Sequence, residues 1–424
     1  MKVRLLRDIA HIQTGPFGSQ LHKKDYVVGG IPIVTVEHLG SRRFTVQNLP
    51  SVNEADSERL SRYRMKAGDI IFSRVGSVDR CSLASAENDG WLYSGRCLRV
   101  RTKSDWSSDF LYYYLSSARM KKMIRSIAVG ATMPSINTSL LGEVLIPQMP
   151  LKKQVAIASV LSAFDERIEL NSRLNGYLEE LVNSEFAKRF DSHGPKTPLK
   201  NVLSISTKSL NPQRHVGEVW EHYSIPAFDA TRWPTFELAD GIKSSKYVVD
   251  NNSILISKLN PSIKRMWVPA CLTDKAVCST EFIVYKPLES SHKSFYCAAI
   301  NAEEFTAFLL EHVTGSTGSR QRTQPKATHN YPMPNPSRIE IESFCTFADP
   351  IYQQIQANEI ESQRLRSLRD ALLPKLMSGE IDVSKVELTQ LNSHLYACML
   401  HFAPMRSLVY CMRVSGLDMR ESLR

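Results

Sequence analysis

The stretch Asp69-Ile70-Ile71-Phe72-Ser73-Arg74 decides how this chain is interpreted, because it returns in altered form as Ser253-Ile254-Leu255-Ile256-Ser257-Lys258. Both copies are short apolar segments that end in a serine and a base, and they lie 254 − 70 = 184 positions apart. A short apolar run of this kind, rich in isoleucine, predicts a buried β-strand. Its return over so long a period predicts two copies of one module.

Three further segments repeat in the same order at an offset of 185. The pairs are Ser94-Gly95-Arg96-Cys97-Leu98-Arg99-Val100 with Ser279-Thr280-Glu281-Phe282-Ile283-Val284-Tyr285 (279 − 94 = 185), Val129-Gly130-Ala131-Thr132 with Thr314-Gly315-Ser316-Thr317, and Ile146-Pro147-Gln148-Met149-Pro150 with Tyr331-Pro332-Met333-Pro334. Each match is weak by itself, but four in order at a nearly constant offset predict a duplicated chain. The two modules are expected at roughly 1–190 and 196–380, with a linker at 191–196.

Each module ends in a long helical stretch. Apolar residues at three-or-four spacing predict helices over 151–190 and 348–380, and Pro374 and Gly379 are expected to close the second one. A helix of forty residues spans about 60 Å, which exceeds what one small domain needs, so both helices are interpreted as spacers.

Both apolar stripes turn polar in the middle, at Asn171 and Asn175 in the first helix and at Asn358 and Ser362 in the second. Buried asparagines can fix the register of paired helices at a cost in stability. Equally, these positions could be exposed on helices that do not form a true coiled coil. The sequence leaves both possibilities open.

Composition indicates the class of partner. The net charge of +10 predicts a polyanionic partner such as nucleic acid, although a merely basic soluble protein would have the same charge. No apolar run reaches the ~18 residues of a membrane helix, and the first residues lack the core of a signal peptide. The eight cysteines form no Cys-x-x-Cys pair, so we expect a cytoplasmic protein with reduced thiols and no metal site.

Motifs of nucleic-acid enzymes are missing from the sequence. We find no phosphate-binding G-x-x-x-x-G-K-[ST] loop, no G-x-G-x-x-G turn and no zinc-deaminase signature. The Asn-Pro pairs that begin at 211, 260 and 335 lack the following proline and aromatic residue of amino-methyltransferases. These absences favour a binding protein with no catalytic residue. The alternatives are a DNA methyltransferase or nuclease with diverged motifs, and a scaffold that binds only protein.

Several segments resemble the type I restriction-modification DNA-specificity (S) subunit family. Gly130-Ala131-Thr132-Met133-Pro134-Ser135-Ile136-Asn137, with the Pro150-Leu151 helix start that follows, is similar to the end of a target-recognition domain in that family. Leu368-Arg369-Asp370-Ala371-Leu372-Leu373-Pro374-Lys375-Leu376-Met377-Ser378-Gly379-Glu380-Ile381 is similar to the family's closing segment. Gly15-Pro16-Phe17-Gly18-Ser19 and Ser73-Arg74-Val75-Gly76-Ser77 resemble loops common there.

The resemblance covers about 1–385, with two departures. Lys152-Lys153-Gln154 replaces the usual acidic residue before the glutamine, and Gly315-Ser316-Thr317-Gly318-Ser319-Arg320-Gln321-Arg322 lacks the asparagine of the first copy. Residues 387–424 match nothing in the repeat and stay unassigned.

The resemblance implies an α/β (α+β) fold with target-recognition domains at 1–150 and 196–345, joined by two long antiparallel coiled-coil-like helices. Each domain would read one half of a split, asymmetric site in double-stranded DNA, and the helices would set the gap and dock two modification subunits. This chain would be non-catalytic and would carry no cofactor. S-adenosylmethionine would lie on modification subunits that methylate adenine, and ATP and magnesium on restriction subunits.

Candidate DNA-binding residues are small, aromatic or basic residues in the loops of each module. In the first they are Gly15, Phe17, Ser19, Lys23, Arg42, Arg43, Arg74, Ser77 and Arg80, and in the second Lys258, Lys264, Arg265, Arg320 and Arg322. Arginine is favoured because its fork matches O6 and N7 of guanine. Surface solubility is the alternative role for each, and the correspondence of Arg74 with Lys258 favours DNA binding at these two.

Candidate partner-binding residues lie on the two long helices. Their apolar stripes are long enough that one antiparallel helix cannot cover every face, so we expect some of these leucines to contact the modification subunits. They are Leu178, Leu181, Leu365, Leu368 and Leu372.

Overall fold

The computed structural model of the protein describes residues 2–16, 20–130, 132–190, 194–315, 321–381 and 383. The chain forms two compact units. The first unit comprises Met1–Arg167 together with Leu365–Arg424, and the second unit comprises Ile168–Arg364. The unassigned residues 387–424 lie outside the described residues, as do the linker residues 191–193.

The described part of the first unit contains two four-stranded sheets, one two-stranded sheet and several helices besides a long helix. In chain order these elements are β1 (Val3–Leu5), α1 (Leu6–Ile9), β2 (Ala10–Thr14), β3 (Tyr26–Val27), β4 (Ile31–Val34), β5 (Ser51–Val52), α2 (Glu54–Arg59), β6 (Ile70–Ser73), β7 (Cys81–Leu83), β8 (Leu92–Tyr93), β9 (Cys97–Thr102), α3 (Ser108–Ser116), α4 (Ala118–Ile127), α5 (Thr138–Gly142), β10 (Leu145–Pro147) and the long helix α6 (Leu151–Arg189).

The second unit has a similar plan after α6, with one more strand in its second sheet. Its elements are β11 (Lys196–Pro198), β12 (Leu203–Ser206), β13 (Ser209–Leu210), β14 (Val219–Tyr223), α7 (Ile225–Thr231), β15 (Thr235–Leu238), β16 (Lys246–Val248), β17 (Ile254–Ser257), β18 (Met266–Trp267), β19 (Ala276–Cys278), β20 (Phe282–Pro287), α8 (Lys293–Asn301), α9 (Glu303–Glu311), β21 (Val313–Thr314), β22 (Arg322–Thr323), β23 (Pro332–Pro334) and the long helix α10 (Arg338–Ser378).

The sheets confirm that the chain is a repeat. One antiparallel sheet of the first unit has the strand order β2-β9-β6-β7, and the second unit has β12-β20-β17-β18. A second sheet in each unit contains one parallel pair, β4 with β8 and β14 with β19. The quoted segments form β6 and β17, and all four residues of each strand are buried, as a continuous apolar run predicts.

One of the four sequence matches is wrong by two positions. β10 pairs with β1 and β23 pairs with β11, so Ile146 corresponds to Met333, and both side chains are fully buried. The offset is therefore 333 − 146 = 187 rather than 185, because the second copy has two more residues between Thr314, the equivalent of Val129, and β23.

The second long helix begins earlier than predicted, at Arg338 rather than at 348, so residues 338–345 belong to the helix. Ser337 starts it with a capping box, in which its backbone N–H donates to Glu340 Oε2 at 2.8 Å and its Oγ accepts from the backbone N–H of Glu340 at 3.4 Å. The prolines at 350 and 374 obscured this pattern, because a proline inside a helix removes a hydrogen bond. Pro374 therefore does not end the helix, and Gly379 follows it with a φ of 80°.

The long helices run antiparallel within each unit, and each unit takes one part of each helix. In the first unit Asp165 of α6 contacts Arg369 of α10. In the second unit Asn171 contacts Glu361 and Ser362, and Asn175 contacts Asn358. The compact units therefore differ from the sequence modules 1–190 and 196–380, because antiparallel pairing places the end of α10 beside the start of α6 in the first unit.

The asparagines in the middle of the helices are buried. Asn171 is 1% exposed and Asn358 is 4% exposed, and they are equivalent in the repeat because 358 − 171 = 187. Asn171 Nδ2 donates to Glu361 Oε2 at 2.6 Å, and Asn358 Nδ2 donates to Asn175 Oδ1 at 2.7 Å. Of the two possibilities, the structure therefore supports a hydrogen-bonded polar layer that favours one register.

Candidate nucleic-acid interface

Three loops of the first unit meet at one end of the sheet that contains β6. The backbone N–H of Arg74 donates to the carbonyl of Arg96 at 2.8 Å, and that of Gly76 donates to the carbonyl of Pro134 at 2.8 Å. Ile136 N–H in turn donates to the carbonyl of Arg74 at 2.9 Å. We call residues 74–77, 94–96 and 129–135, without the undescribed residue 131, the first loop cluster.

Gly15 joins this cluster because its backbone lies against the loop that precedes β9. Its N–H donates to the carbonyl of Cys97 at 3.2 Å. A Cβ atom at this position would lie 2.2 Å from the carbonyl oxygen of Ser94, so a larger residue does not fit. Gly15 therefore sets how closely the two loops approach.

The surface of the first loop cluster combines cations with apolar side chains. Arg74 is half-buried and one of its terminal nitrogens lies 3.3 Å from the carbonyl oxygen of Gly95, while Arg96 is exposed. Val129 and Met133 are 54% and 64% exposed. Cations suit phosphates and guanine edges, and apolar groups suit the thymine methyl group. Arg96, Val129 and Met133 were missed as site residues, although all three lie in segments that the repeat had singled out.

The second unit builds the same arrangement with different side chains. The N–H of Lys258 donates to the carbonyl of Glu281 at 3.0 Å, and the carbonyl of Lys258 accepts from the N–H of Thr323 at 3.0 Å. Asn260 N–H donates to the carbonyl of Gln321 at 3.0 Å. We call residues 258–260, 279–281 and 321–323 the second loop cluster. Lys258 occupies the place of Arg74 in it.

The second cluster differs from the first in its charges. Arg322 Nε donates to Glu281 Oε2 at 2.9 Å, and both side chains are partly exposed. The first cluster has Arg96 where the second has Glu281, because 281 − 96 = 185. The two clusters therefore present different chemical groups on the same backbone frame.

Two predicted DNA-binding arginines lie in the interior. Arg42 is 8% exposed and donates to Asp109 Oδ1 at 3.2 Å. Arg265 is also 8% exposed and forms a two-pronged pair with Asp229 at 2.6 and 2.9 Å. Burial and pairing of the guanidinium groups contradict the predicted surface role of both residues.

The remaining candidate DNA-binding residues differ in exposure and in their hydrogen-bond partners. Ser77 is exposed in the first loop cluster, and Arg43 is half-buried. Arg80 donates to the carbonyl of Leu39, and Lys264 donates to the carbonyl of Asn301, where partial burial lowers the pKa of its ammonium group. Phe17, Ser19, Arg320 and the side chain of Lys23 lie outside the described residues.

The predicted partner-binding leucines differ in how far they are exposed. Leu365 is 3% exposed and therefore part of the interior, whereas Leu178, Leu368 and Leu372 are half-buried. Leu181 is 49% exposed. It lies on an exposed apolar stripe of α6, which helical spacing could have found completely: Leu170, Leu174, Tyr177 and Leu181.

Other kinds of site are not evident in the described ranges. No helix there is long and apolar enough to cross a membrane, and no group of three or more His, Cys, Asp and Glu side chains there could hold a metal ion. Burial raises the pKa of the Cys97 thiol to about 11 and that of Cys81 to about 12, so both are unreactive thiols.

Comparison with known proteins supports the resemblance seen in the sequence. Residues 1–180 match the model of the type I restriction modification DNA specificity domain. The chain is 25% identical to the type I restriction enzyme MjaIX specificity subunit of Methanocaldococcus jannaschii, over 91% of this chain and 94% of that protein. It is 19% identical to the HindI specificity subunit of Haemophilus influenzae, over 78% of this chain and 90% of that protein.

The fold is also similar to a solved structure. The S subunit of a type I restriction-modification system from M. genitalium superposes with a TM-score of 0.54 at 18% identity, covering 88% of this chain and 95% of that one. The shared strand order of one sheet in each unit, the matching domain model over 1–180 and relatives matched over most of their length agree, and the chain is similar to the type I restriction-modification DNA-specificity subunits.

Proposed function

We propose that this chain is the specificity subunit of a type I restriction-modification enzyme and recognises a bipartite, asymmetric site in double-stranded DNA. The observation that carries the proposal is the pair of loop clusters, which share a backbone frame and place Arg74 and Lys258 at equivalent positions. Because the clusters carry different side chains, each would recognise a different half-site. The chain itself would be non-catalytic.

The chemistry of the two clusters suits DNA in different ways. Arginine presents a planar fork that can bind a guanine edge with two hydrogen bonds, whereas lysine is a flexible point charge better suited to phosphate. Exposed Arg96 adds positive charge to the first cluster, and Glu281 beside Arg322 lowers it in the second. We therefore expect more direct base reading by the first cluster.

The apolar stripe of α6 supports the assignment of protein partners. Four large apolar side chains in one row, each at least 39% exposed, form a surface that water covers unfavourably. We propose that modification subunits cover it and that restriction subunits join the assembly. S-adenosylmethionine is expected on the modification subunits, ATP and magnesium on the restriction subunits, and the complex in the cytoplasm.

Charge reversal at the two equivalent bases tests this proposal. We would prepare the complete methyltransferase with Arg74→Glu or Lys258→Glu and measure duplex binding over a range of salt concentrations. Each change should weaken binding by about 1–3 kcal/mol. Loss on all sequences with a shallower salt slope would indicate a phosphate contact, and loss at one base pair would indicate base reading.

Lys66→Glu provides the matched control. Lys66 is exposed and precedes β6 at the end opposite to Arg74, so it carries the same charge change away from the loop cluster. The proposal fails if all three variants bind DNA like the parent, or if Lys66→Glu weakens binding as much as Arg74→Glu. Turnover by the purified chain without partners would favour an enzyme instead.

A further inference from the structure

One buried carboxylate joins three elements of the first unit. Tyr113 of α3 donates its hydroxyl hydrogen to Asp165 Oδ2 of α6 at 2.7 Å, and Arg369 of α10 donates to Asp165 Oδ1. Tyr113 is 2% exposed and Asp165 is 8% exposed. Asp165 therefore ties the first recognition domain to both helices that carry it.

A second cation completes the network on the domain side. The guanidinium of Arg42 lies 5.7 Å from the centre of the Tyr113 ring and donates to Asp109, which is also on α3. Burial, and then the charge of Asp165, raise the pKa of the Tyr113 phenol, so the phenol keeps its proton and remains a donor. Burial alone would lower the pKa of Arg369, but the Asp165 and Asp370 carboxylates raise it.

Within the described part of the second unit, the residues equivalent to Tyr113, Asp165 and Arg369 form no such charged network. The repeat aligns Tyr113 with Ala298 (298 − 113 = 185), Asp165 with Tyr352 (352 − 165 = 187) and Val182 with Arg369 (369 − 182 = 187). Val182 is fully buried and Ala298 is 1% exposed. A cavity of about 310 Å³, lined in part by Tyr352, lies at this junction. A neutral hydrogen bond joins α8 to α6 beside this cavity, since Asn301 Nδ2 donates to Asn183 Oδ1 at 3.0 Å, but no carboxylate takes the place of Asp165.

These two kinds of contact differ in how they resist motion. A charge-assisted hydrogen bond holds its partners at one distance and direction, whereas a neutral hydrogen bond is weaker and apolar contacts are not directional. A small domain is about 30 Å across, so a tilt of about 6° at the junction would move its far side by about 3 Å. That displacement is close to the 3.4 Å rise of one base pair.

We infer that Asp165 is a positioning residue that fixes the angle between the first recognition domain and its helices, and thereby the gap between the two half-sites. Asp165 is too buried to touch DNA and would act through Tyr113 and Arg369. The inference rests on the proposed function. It predicts that the gap is held more strictly by the first junction than by the second.

The test is to sequence methylated adenines produced by the complete methyltransferase that carries Asp165→Asn. This change keeps the shape of the side chain and removes the charge that faces Arg369. Sites whose gap is one base pair longer or shorter should gain methylation about tenfold relative to the parent, which corresponds to about 1.4 kcal/mol. The bases of both half-sites should stay the same.

Tyr352→Phe is the matched control at the second junction and should leave the gap distribution unchanged. Tyr113→Phe, which removes one hydroxyl group and keeps the ring, should shift the distribution in the same direction as Asp165→Asn but less. The inference is overturned if both first-junction variants lower the melting temperature without methylation at altered gaps, or if the half-site bases change. A parent enzyme without a bipartite motif would instead refute the proposed function.

Discussion

Different kinds of side chain form the contact between the recognition domain and the long helices in the two units. The first unit has the network around Asp165, and the second packs four phenylalanines from α6, α8, α10 and the position that follows α6. These are Phe186, Phe190, Phe295 and Phe344, with ring centroids 5.1–6.1 Å apart. Their equivalents in the first unit, Phe110, Ile157, Leu373 and Met377, are also buried and apolar, so the polar network of the first unit lies beside an apolar core that both units share.

The difference separates two properties of a junction. Buried aromatic rings add stability through the surface they remove from water. A buried ion pair adds little or no net stability, because desolvation of both charges offsets their attraction, but it constrains geometry. The second junction should thus contribute more to folding free energy, and the first more to a fixed angle.

The sheets show a similar exchange of polar and apolar residues. Arg99 on β9 is 4% exposed and donates to the carbonyls of Arg62 and Arg64 at 3.3 Å, and its equivalent Val284 (284 − 99 = 185) is fully buried. The reverse occurs at His222 on β14, whose place in the first unit is taken by Ile33 on β4. Duplication of the module has therefore been followed by divergence of its interior on both sides.

The largest effect is expected from Phe344→Ala in the second unit. Phe344 is fully buried against four other rings, so its truncation should cost about 3–5 kcal/mol of unfolding free energy. Amide hydrogen exchange should accelerate in α8 and leave α3 of the first unit unchanged. Ile339→Ala, on the same helix and 78% exposed, is the control and should change stability by less than about 0.5 kcal/mol. Equal acceleration in α3 would contradict the comparison.

A smaller effect is expected from Arg369→Met in the first unit. Removal of one partner leaves the buried Asp165 unpaired, and because the Arg369 side chain is 23% exposed we expect a cost of about 2 kcal/mol. The triple variant Tyr113→Phe, Asp165→Leu, Arg369→Met replaces the network with apolar side chains and should recover most of that loss. Urea unfolding of the single and triple variants measures both values. A triple variant less stable than Arg369→Met would show that the network itself stabilises the unit.

The smallest effect is expected from protonation of the His222 imidazole at acidic pH. Burial lowers the pKa of this imidazole below its usual 6.5, although the Glu237 carboxylate at 2.6 Å opposes the shift. The folded state then takes up a proton less readily than the unfolded state, so the second unit should lose stability as the pH falls below about 6.5. His222→Ile, the residue of the first unit, should flatten this dependence. Denaturation at about pH 7.5 and about pH 5.5 compares the two proteins, and parallel losses in parent and variant would assign the effect to other groups.

Much of the fold could be predicted from local sequence. The runs that became β6 and β17 are apolar at nearly every position, so they form buried strands in any compact structure. The helices at 151–190 and 348–380 were found for the same reason, since their period persists over about ten turns. The start of α10 at Arg338 was missed because Pro350 lies inside it, where local rules place a boundary.

The candidate site could be predicted only in part. Arg74 and Lys258 were found because the repeat placed them after equivalent strands, and the structure puts both in loop clusters of the same build. Arg42 and Arg265 look equally suitable as isolated bases, yet both are buried against carboxylates. The sequence alone does not distinguish basic residues in the loop clusters from basic residues that are buried against carboxylates.

By itself, the sequence determined the strands, the long helices and the duplication, because each depends on residues that are neighbours or that recur at a fixed period. Only the tertiary structure decided which cations face solvent and how each unit is held to its helices. Arg42 and Asp109 are 67 positions apart, and Asp165 and Arg369 are 204 apart. Burial and pairing over such separations depend on how the whole chain packs, and no local pattern encodes them.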